Sequence, residues 1–409
     1  MIIIHAVKSL DRALSDLAEA ALAAMPVVVL TGARQTGKST LARQLGGDDR
    51  LYLTLDDYDV LDQATSAPDD LVARAPLQTL DEVQRAPGLL IAIKRAVDRK
   101  RQRGRFLLTG SANLALLDKV SESLAGRASY ATLWPMTRRE QQGQGRAGIW
   151  EELFEARDED WADVVATHKG VSEDWRIAAR RGGYPTPALE LTEAERAHWF
   201  AGYAQTYLDR DVLQLSSISS LPDLRRLMRA VSLRIGQLAN QTELGRDVAL
   251  PQATVHRWLN VLEASYQLVR LPAYSVNRTR RLIKTPKLYW SDTGLALHLS
   301  GATPDGPHLE NLVLMDLLAW RDSQLVRPEI LYWRTASGDE VDFVIERKGK
   351  LMPIEVKATS RPRVSDGRHL QAFREEYGKS ARAGLVLHTG AAVEWLAPGV
   401  LAAPWWAVM

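Results

Sequence analysis

Apolar residues recur at two different spacings in the first part of the chain, and each spacing predicts a different element. From Leu10 to Ala24 they stand three or four positions apart, which is typical of a helix with one buried face. Short apolar runs begin at Val27, Leu51 and Leu77, and a further run extends from Arg105 to Leu108, as expected of buried strands. The alternation of these strands with helices predicts an α/β fold.

A glycine loop separates the first strand from the helix that follows it. The loop fits the pattern G-x-x-x-x-G-K-S/T, in which glycines let backbone N–H groups turn inward at the positive end of the helix dipole. We expect Lys38 to reach the β- and γ-phosphates of ATP, Ser39 to ligate Mg²⁺ and Thr40 to add a phosphate contact. The predicted nucleotide-binding residues are Gly32, Ala33, Arg34, Gln35, Thr36, Gly37, Lys38, Ser39 and Thr40.

Two carboxylates and a threonine follow later strands and predict the hydrolytic half of the same site. Asp81 is expected to hold Mg²⁺ through its water shell, and Glu82 to polarise the attacking water. Thr109 is expected to contact both the γ-phosphate and that water, since its strand should lie between the other two; Asn113 is the second candidate. Arg127 has no obvious partner among these motifs, and it forms either an internal salt bridge or an arginine finger for a neighbouring subunit.

Composition limits the remaining possibilities. The chain has 409 residues, with 52 basic and 50 acidic side chains, so a nucleic-acid surface must be a local patch. The absence of cysteine excludes disulfides, thiolate metal sites and cysteine nucleophiles. The segment from Met1 to His5 lacks the features of a signal peptide, and no apolar run approaches about 18 residues. We therefore expect a cytoplasmic protein without a membrane segment.

The segment from Leu221 to Gly301 has the pattern of a winged helix-turn-helix: three helices and then a two-stranded wing. Thr242 is predicted to cap the second helix, and Pro251 opens the third. Acidic residues are absent between Glu263 and Asp292, whereas basic residues are frequent, which favours contact with DNA phosphates over the alternative of a protein-contact platform. The predicted DNA-binding residues are Arg257, Arg278, Arg280, Arg281 and Lys284.

Two strongly alternating arms near the C-terminus predict a β-hairpin. If Lys348 and Gly349 form the turn, the register places Asp342 opposite Glu355. The same register places Glu340 opposite Lys357 and gathers the apolar residues on the other, buried face. Carboxylates that face each other across a ladder repel, and a divalent cation would remove that repulsion.

These motifs together resemble AAA-type ATPases, and in particular a prokaryotic group with a C-terminal domain like the PD-(D/E)xK restriction endonucleases. The matching segments begin at Gly32, Leu80, Leu108, Ser123, Gly182, Tyr207 and Asp292. The resemblance implies four segments: an ATPase core at 1–145, a helical lid at 146–220, a winged helix at 221–301 and a nuclease-like domain at 302–409. It also implies a homo-oligomeric ring, with a hexamer as one candidate, in which Arg127 acts in trans.

The same resemblance implies a metal centre in the last segment. Asp342, Glu355 and the helix-borne Glu310 would hold Mg²⁺, and Lys357 would orient or deprotonate water. We therefore expect an ATPase that uses MgATP to remodel, translocate along or process DNA. The alternative is a signalling or defence switch in which ATP turnover gates partner binding and the nuclease-like domain is a non-catalytic scaffold. A plain nuclease with a structural nucleotide is a third hypothesis.

Overall fold

A computed structural model describes residues 10–110, 124–168, 170–206, 220–277, 279, 281 and 284–409. The chain divides into two compact units, residues 1–146 and 147–409. Within the described ranges, no helix is both long enough and apolar enough to cross a membrane.

The first unit is built on a five-stranded parallel sheet, which confirms the predicted α/β fold. Its strand order is β2-β3-β4-β1-β5. The strands are β1 Val27–Thr31, β2 Leu51–Thr54, β3 Gln78–Asp81, β4 Phe106–Thr109 and β5 Ala128–Thr132. The helices are α1 Ser15–Ala24, α2 Lys38–Gln44, α3 Tyr58–Ser66, α4 Pro68–Ala73, α5 Leu89–Arg99 and α6 Arg138–Gln141, with a 3-10 turn at Val83–Arg85. The first helix thus begins at Ser15, not at Leu10.

Both faces of this sheet are buried, which explains why its strands are continuous apolar runs. Val27, Val29 and Leu80 pack into one hydrophobic cluster, whereas Val28 and Leu30 pack into the cluster on the other side. Because the strands are parallel, the carboxyl ends of β1, β3 and β4 meet at one edge of the sheet. Strand β4 lies between β3 and β1, as predicted.

The second unit begins with helices and a small antiparallel sheet. The first helices are α7 Trp150–Glu155, α8 Trp161–Thr167, α9 Trp175–Arg181, α10 Pro185–Leu189 and α11 Glu193–Thr206, with a 3-10 turn at Asp158–Asp160. They are followed by α12 Leu221–Ser232, α13 Gln241–Val248, α14 Gln252–Ala264, β6 Leu268–Leu271, β7 Lys287–Trp290 and α15 Thr293–Ser300. The N-cap of α13 is Asn240, whose side chain accepts from the Glu243 N–H at 3.2 Å, so the predicted cap at Thr242 was wrong.

Two glycine-containing motifs of this unit meet at one buried carboxylate. Asp292 caps α15 by accepting from the Leu295 N–H at 2.8 Å, and it also accepts from the Gly183 N–H at 2.6 Å. A Cβ at Gly182 would lie 2.5 Å from Asp292 Oδ1, so only glycine permits this approach. Burial raises the pKa of Asp292 to about 6, against the opposing effect of these backbone hydrogen bonds.

The remaining chain forms a mixed six-stranded sheet with the order β12-β13-β11-β10-β9-β8. Its strands are β8 Glu329–Arg334, β9 Glu340–Arg347, β10 Lys350–Lys357, β11 Gly384–His388, β12 Glu394–Ala397 and β13 Val400–Pro404. The helices are α16 Gly306–Asp322, α17 Arg368–Tyr377 and α18 Trp405–Val408, with 3-10 turns at Val364–Gly367 and Gly378–Ser380.

The predicted hairpin register of β9 and β10 is confirmed where the two strands pair. Ile345 is opposite Met352, and Phe343 is opposite Ile354. Lys348 and Gly349 form the turn with φ values of 50° and 75°, the left-handed conformation that a two-residue turn between twisted strands requires. Beyond the pair of Phe343 and Ile354, the Val356 N–H donates to Asp342 Oδ2 at 2.8 Å, so the two strands remain close at the predicted carboxylates.

Candidate functional site

The glycine loop folds into an anion cradle at the carboxyl end of β1. Gly32 and Gly37 have φ values of 141° and 94°, and Gln35 is also left-handed at 59°. A Cβ at Gly32 would lie 2.3 Å from the Leu133 carbonyl oxygen, so the close approach requires glycine. Lys38 is buried, and its ammonium group donates to the carbonyl oxygens of Gly32 at 3.2 Å and Ala33 at 2.7 Å. The lysine is therefore held over the loop that it is predicted to serve.

The other residues of the loop differ in exposure. Ala33 and Thr36 are buried, and the Thr36 hydroxyl donates to the Ala33 carbonyl at 3.0 Å, which fixes the turn from within. Arg34 and Ser39 are partly buried, while Gln35 and Thr40 are exposed. Thr40 thus faces solvent in this conformation, where the backbone N–H groups of the loop would meet an incoming phosphate.

Asp81 is the hub that joins three strands of the sheet to the loop. Its Oδ1 accepts from the Ser39 hydroxyl at 2.9 Å and from the Thr109 hydroxyl, and its Oδ2 accepts from the Tyr52 phenol at 2.6 Å. Sequence reasoning did not single out Tyr52, which lies on β2. A tyrosine in a short strand has no distinctive signal until the neighbouring strand is known.

Glu82 immediately follows this hub and has a left-handed backbone, with φ 60° and ψ 40°. Its N–H donates to the Thr109 hydroxyl at 3.3 Å, and its carboxylate accepts from the Gln84 amide. Burial raises the pKa of Glu82, while the charge of Lys38 and the hydrogen bond from Gln84 oppose that rise. A carboxylate with a raised pKa is a stronger proton acceptor, which suits the predicted task of polarising water.

A buried arginine that precedes α1 donates to two backbone carbonyl oxygens at the anion cradle, and sequence reasoning missed it. Arg12 donates to the carbonyl oxygens of Thr36 at 2.8 Å and Trp134 at 2.7 Å, and it forms an ion pair with Glu140 at 3.1 Å. Glu140 in turn accepts from the N–H groups of Ala13 at 2.6 Å and Thr137 at 2.7 Å. The partners are distant in sequence, so no local pattern could indicate this brace.

The residues at this edge fit MgATP. Gly32 to Thr40 supply an open cradle with a buried ammonium, which suits the phosphates. Ser39 and Asp81 supply a hydroxyl and a carboxylate, the hard oxygen donors that Mg²⁺ prefers. The structure thus brings together five of the predicted residues: Lys38, Ser39, Asp81, Glu82 and Thr109. Asn113, the second candidate for the position of Thr109, lies outside the described residues.

Arg127 has a partner within the first unit, although none was obvious among the sequence motifs. Its guanidinium contacts both carboxylate oxygens of Asp98, at 2.6 and 3.0 Å. This is the internal salt bridge that was one of the two alternatives. The pair is solvent-exposed, and exposed ion pairs contribute little to stability. The contact therefore does not by itself prevent Arg127 from reaching another partner.

Most of the described cations of the predicted DNA-binding wing are paired with acids. Arg281 is 6% exposed and contacts Glu329 at 2.7 Å and Glu346 at 2.6 Å, so its assignment to DNA was wrong. The physical reason is that its acidic partners lie on β8 and β9, far along the sequence. Arg257 on α14 and Lys284 are exposed and have no ion pair among the residues that the structure describes. Arg278 and Arg280 lie outside the described residues.

The predicted metal centre of the last sheet has a different cation in it. Lys287, from β7, places its ammonium 2.5 Å from Glu340 and 3.7 Å from Asp342. Lys357 contacts Glu355 at 2.6 Å. Glu310 accepts from the Tyr289 phenol at 3.2 Å, and it interacts electrostatically with Asp342 and Lys287.

Burial raises the pKa of all three predicted metal ligands, Glu310, Asp342 and Glu355, and that of Glu355 rises to about 8. The repulsion by a like-charged neighbour, which the sequence suggested as the cause, comes second to burial for Glu355. Glu355 Oε2 has no hydrogen-bond partner within the described chain.

No group of three or more His, Cys, Asp or Glu side chains in the described part of the chain is placed to hold a metal ion. The predicted ligand set of Glu310, Asp342 and Glu355 is therefore not assembled, and these residues do not fit a divalent cation as they stand. The reason is again non-local, since no local sequence pattern indicates that Lys287 enters the site from another sheet.

A match to a protein-family model covers the segment that contains the glycine loop. Residues 24–142 match the family model of the AAA domain, so the first unit is a P-loop domain of the AAA class. Residues 172–306 and 305–408 match two domains of unknown function, DUF8612 and DUF4143. A Walker-type ATPase of Pyrococcus abyssi aligns with 70% of this chain and 94% of its own at 16% identity, with a TM-score of 0.41.

Two mycobacterial relatives are similar over most of the chain. They are the uncharacterized proteins Rv2008c of Mycobacterium tuberculosis and Mb2031c of Mycobacterium bovis. Each is 33% identical over 358 residues, which is 84% of this chain and 73% of the relative. The chain belongs to the same protein family as these two proteins.

Proposed function

We propose that the first unit binds MgATP and hydrolyses it to ADP and phosphate. The observation that carries this proposal is the hub at Asp81, which links the loop serine, the threonine at the end of β4 and the adjacent Glu82. A simple glycine turn would not need this convergence of a hydroxyl, a carboxylate and a second, buried carboxylate at one sheet edge.

Each residue has a defined task in this reaction. Lys38 leaves the carbonyl oxygens of Gly32 and Ala33 to bind the β- and γ-phosphate oxygens, and the loop N–H groups bind the remaining phosphate oxygens. Ser39 and Asp81 would hold Mg²⁺, and the bound ion would neutralise charge on the transferred phosphoryl group. Glu82 accepts a proton from the attacking water, and Thr109 positions that water and the γ-phosphate.

Steady-state ATP hydrolysis by the full chain tests the proposal, with Lys38→Ala and Glu82→Gln as variants. Hydrolysis should be lost in both, because the first lacks the charge facing the phosphates and the second lacks the proton acceptor. Lys100→Ala, which changes an exposed lysine at the end of α5 that has none of the predicted contacts, is the control. Hydrolysis by Glu82→Gln at the wild-type rate would show that Glu82 does not activate water.

A second candidate function is DNA contact through α14. The supporting observation is the exposure of Arg257 and Lys284, which have no ion pair within the described residues. If these two cations contact phosphates, log affinity for duplex DNA should fall with log salt at a slope of roughly −2, at about −0.9 per phosphate. Arg257→Ala should flatten the slope by about 1, whereas an unchanged slope would place any DNA surface elsewhere. DNA-stimulated ATP hydrolysis would distinguish DNA processing from the alternative of an ATP-gated switch.

We further propose that the protein works as a homo-oligomeric ring in which Arg127 serves the neighbouring site. The exposure of the Arg127–Asp98 pair is compatible with this role, and a hexamer is one candidate size. Mixing Arg127→Ala subunits with Lys38→Ala subunits tests it. Partial recovery of hydrolysis would indicate a shared site, and no recovery in a verified mixed oligomer would argue against one.

For the C-terminal sheet, the pairing of Lys287 with its carboxylates supports the non-catalytic alternative over DNA cleavage. In this proposal the nuclease-like domain is a scaffold that responds to ATP turnover in the first unit. Incubation of the full chain with duplex and single-stranded DNA and Mg²⁺ tests it. Cleavage that Asp342→Asn abolishes would reject the scaffold role.

A further inference from the structure

Lys287 is a buried lysine that reaches the C-terminal sheet from a neighbouring pair of strands. Lys287 is the first residue of β7, outside the segment that matches the last domain family, residues 305–408. Its backbone is fixed on two sides, by pairing with Leu271 of β6 and by a bridge to Leu238. The side chain is 2% exposed, although a lysine is rarely buried without a specific partner. A fixed strand end therefore delivers this ammonium to one place.

That place is the polar face of β9. Lys287 Nζ lies 2.5 Å from Glu340 Oε1, 3.7 Å from Asp342 Oδ1 and 5.6 Å from the centroid of the Tyr332 ring. Glu340 and Asp342 are two positions apart on one strand, so their side chains share that face. Arg334 adds a second positive charge, 3.6 Å from Glu340. Two cations therefore lie beside these two carboxylates, and Glu310 also interacts electrostatically with Lys287 and Asp342.

The segment that carries Lys287 is tied to the C-terminal sheet at further points. Ala273 forms a parallel bridge with Tyr332 of β8, and the Tyr332 N–H donates to the Pro272 carbonyl at 3.0 Å. At the other end of the sheet, Arg281 contacts Glu346 of β9 at 2.6 Å. These contacts hold β7 and its flanking chain against β8 and β9, and they keep the ammonium in register with the carboxylates.

Lys287 and Glu340 border a cavity of about 920 Å³, whose lining also includes Lys284, Arg334 and residues 236–243. Lys287 itself is buried, and its ammonium group occupies the place beside Glu340 and Asp342 that a metal ion would take.

We propose that Lys287 is the resident counter-ion of the carboxylates on β9, and that it excludes divalent cations from Asp342 and Glu340. The carboxylate site is then completed by the preceding segment of the chain, which supplies the cation. This inference rests on the proposed scaffold role of the C-terminal sheet and does not depend on ATP hydrolysis in the first unit. The two therefore fail independently.

Binding of Mn²⁺ to the full chain without nucleotide, counted by electron paramagnetic resonance, tests this proposal. Wild type and Asp342→Asn should bind the same number of Mn²⁺ ions. Lys287→Met removes the charge and should bind one Mn²⁺ at least about tenfold more tightly than wild type, a gain that Asp342→Asn abolishes in the double variant. Lys379→Met, which changes an exposed lysine outside the cavity lining, is the matched control and should behave as wild type.

The contradicting results are equally definite. Mn²⁺ bound to wild type and lost in Asp342→Asn would show that the lysine does not exclude divalent cations. Equal Mn²⁺ binding by a folded Lys287→Met and by wild type would show that Lys287 is not what fills the site. Near-UV circular dichroism reports whether Lys287→Met folds, and Lys287→Gln, which keeps a donor to Glu340, replaces it otherwise. Steady-state ATP hydrolysis, measured in parallel, should be the same in wild type and Lys287→Met.

Discussion

Replacing Arg281 with alanine tests whether this arginine is structural, as its contacts indicate, or available to DNA. Its guanidinium is 6% exposed, contacts Glu346 at 2.6 Å and Glu329 at 2.7 Å, and donates to the Ser275 carbonyl at 2.7 Å. Glu346 is also largely buried, with 15% of its side chain exposed, so Arg281→Ala would leave it without this partner. Breaking such a buried pair costs about 3–5 kcal/mol, and the exposed Glu329 adds little.

We expect the second unit to lose about 3 kcal/mol of unfolding free energy in Arg281→Ala, at the lower end because Glu346 retains some solvent contact. For a unit of this size the midpoint of thermal unfolding should fall by roughly 6–12 °C. Urea unfolding followed by tryptophan fluorescence measures the loss of unfolding free energy. Lys284→Ala is an exposed control, and it should change this free energy by less than about 0.5 kcal/mol. Adding Glu346→Gln should restore part of the loss, because it removes the unpaired charge. Unchanged stability together with lost DNA affinity would refute the reasoning.

Two further predictions concern single buried contacts. Tyr52→Phe removes the hydroxyl that donates to Asp81 at 2.6 Å. It should lower the rate of ATP hydrolysis about tenfold and raise the Mg²⁺ concentration that gives the half-maximal rate. A rate equal to that of wild type at all Mg²⁺ concentrations would show that Tyr52 does not position Asp81. The pKa of Asp292 is raised from 3.8 to about 6, so between these pH values the folded state holds a proton that the unfolded chain has lost. The contribution of Asp292 to stability is therefore greatest below about pH 4 and declines as the pH rises through 6. From pH 4 to pH 7, the unfolding free energy of wild type should therefore fall by about 3 kcal/mol relative to that of Asp292→Asn. A difference between the two proteins that does not depend on pH would contradict the raised pKa.

The local parts of the fold were predictable because their signals lie within a few residues. The strand, glycine loop and helix around Lys38 combine a sequence motif with the element order that the motif requires. The hairpin of β9 and β10 was predictable for a similar reason, since apolar alternation identifies the buried face and Lys348-Gly349 sets the register. Small errors, such as the cap at Asn240, arise where two neighbouring polar residues can do the same task.

Contacts between distant segments could not be predicted. The basic character of the segment before Asp292 was correctly recognised, but the acids that pair with Arg281 and Lys287 come from β8 and β9. A run of cations resembles a phosphate-binding surface until the sheet that faces it is known. Arg12 and Tyr52 were missed for the same reason, because their importance depends on partners such as Glu140 and Asp81.

The identity of the nucleotide that remains bound after incubation with MgATP tests the central claim most directly. The full chain, Lys38→Ala and Glu82→Gln are separated from free nucleotide, and the bound fraction is extracted and analysed by chromatography. The account predicts ADP on wild type, ATP on Glu82→Gln and little nucleotide on Lys38→Ala, because the cradle is intact in the second protein and impaired in the third. ADP on Glu82→Gln in the wild-type amount, or equal nucleotide on Lys38→Ala, would contradict the assignment of this sheet edge as the site of ATP hydrolysis.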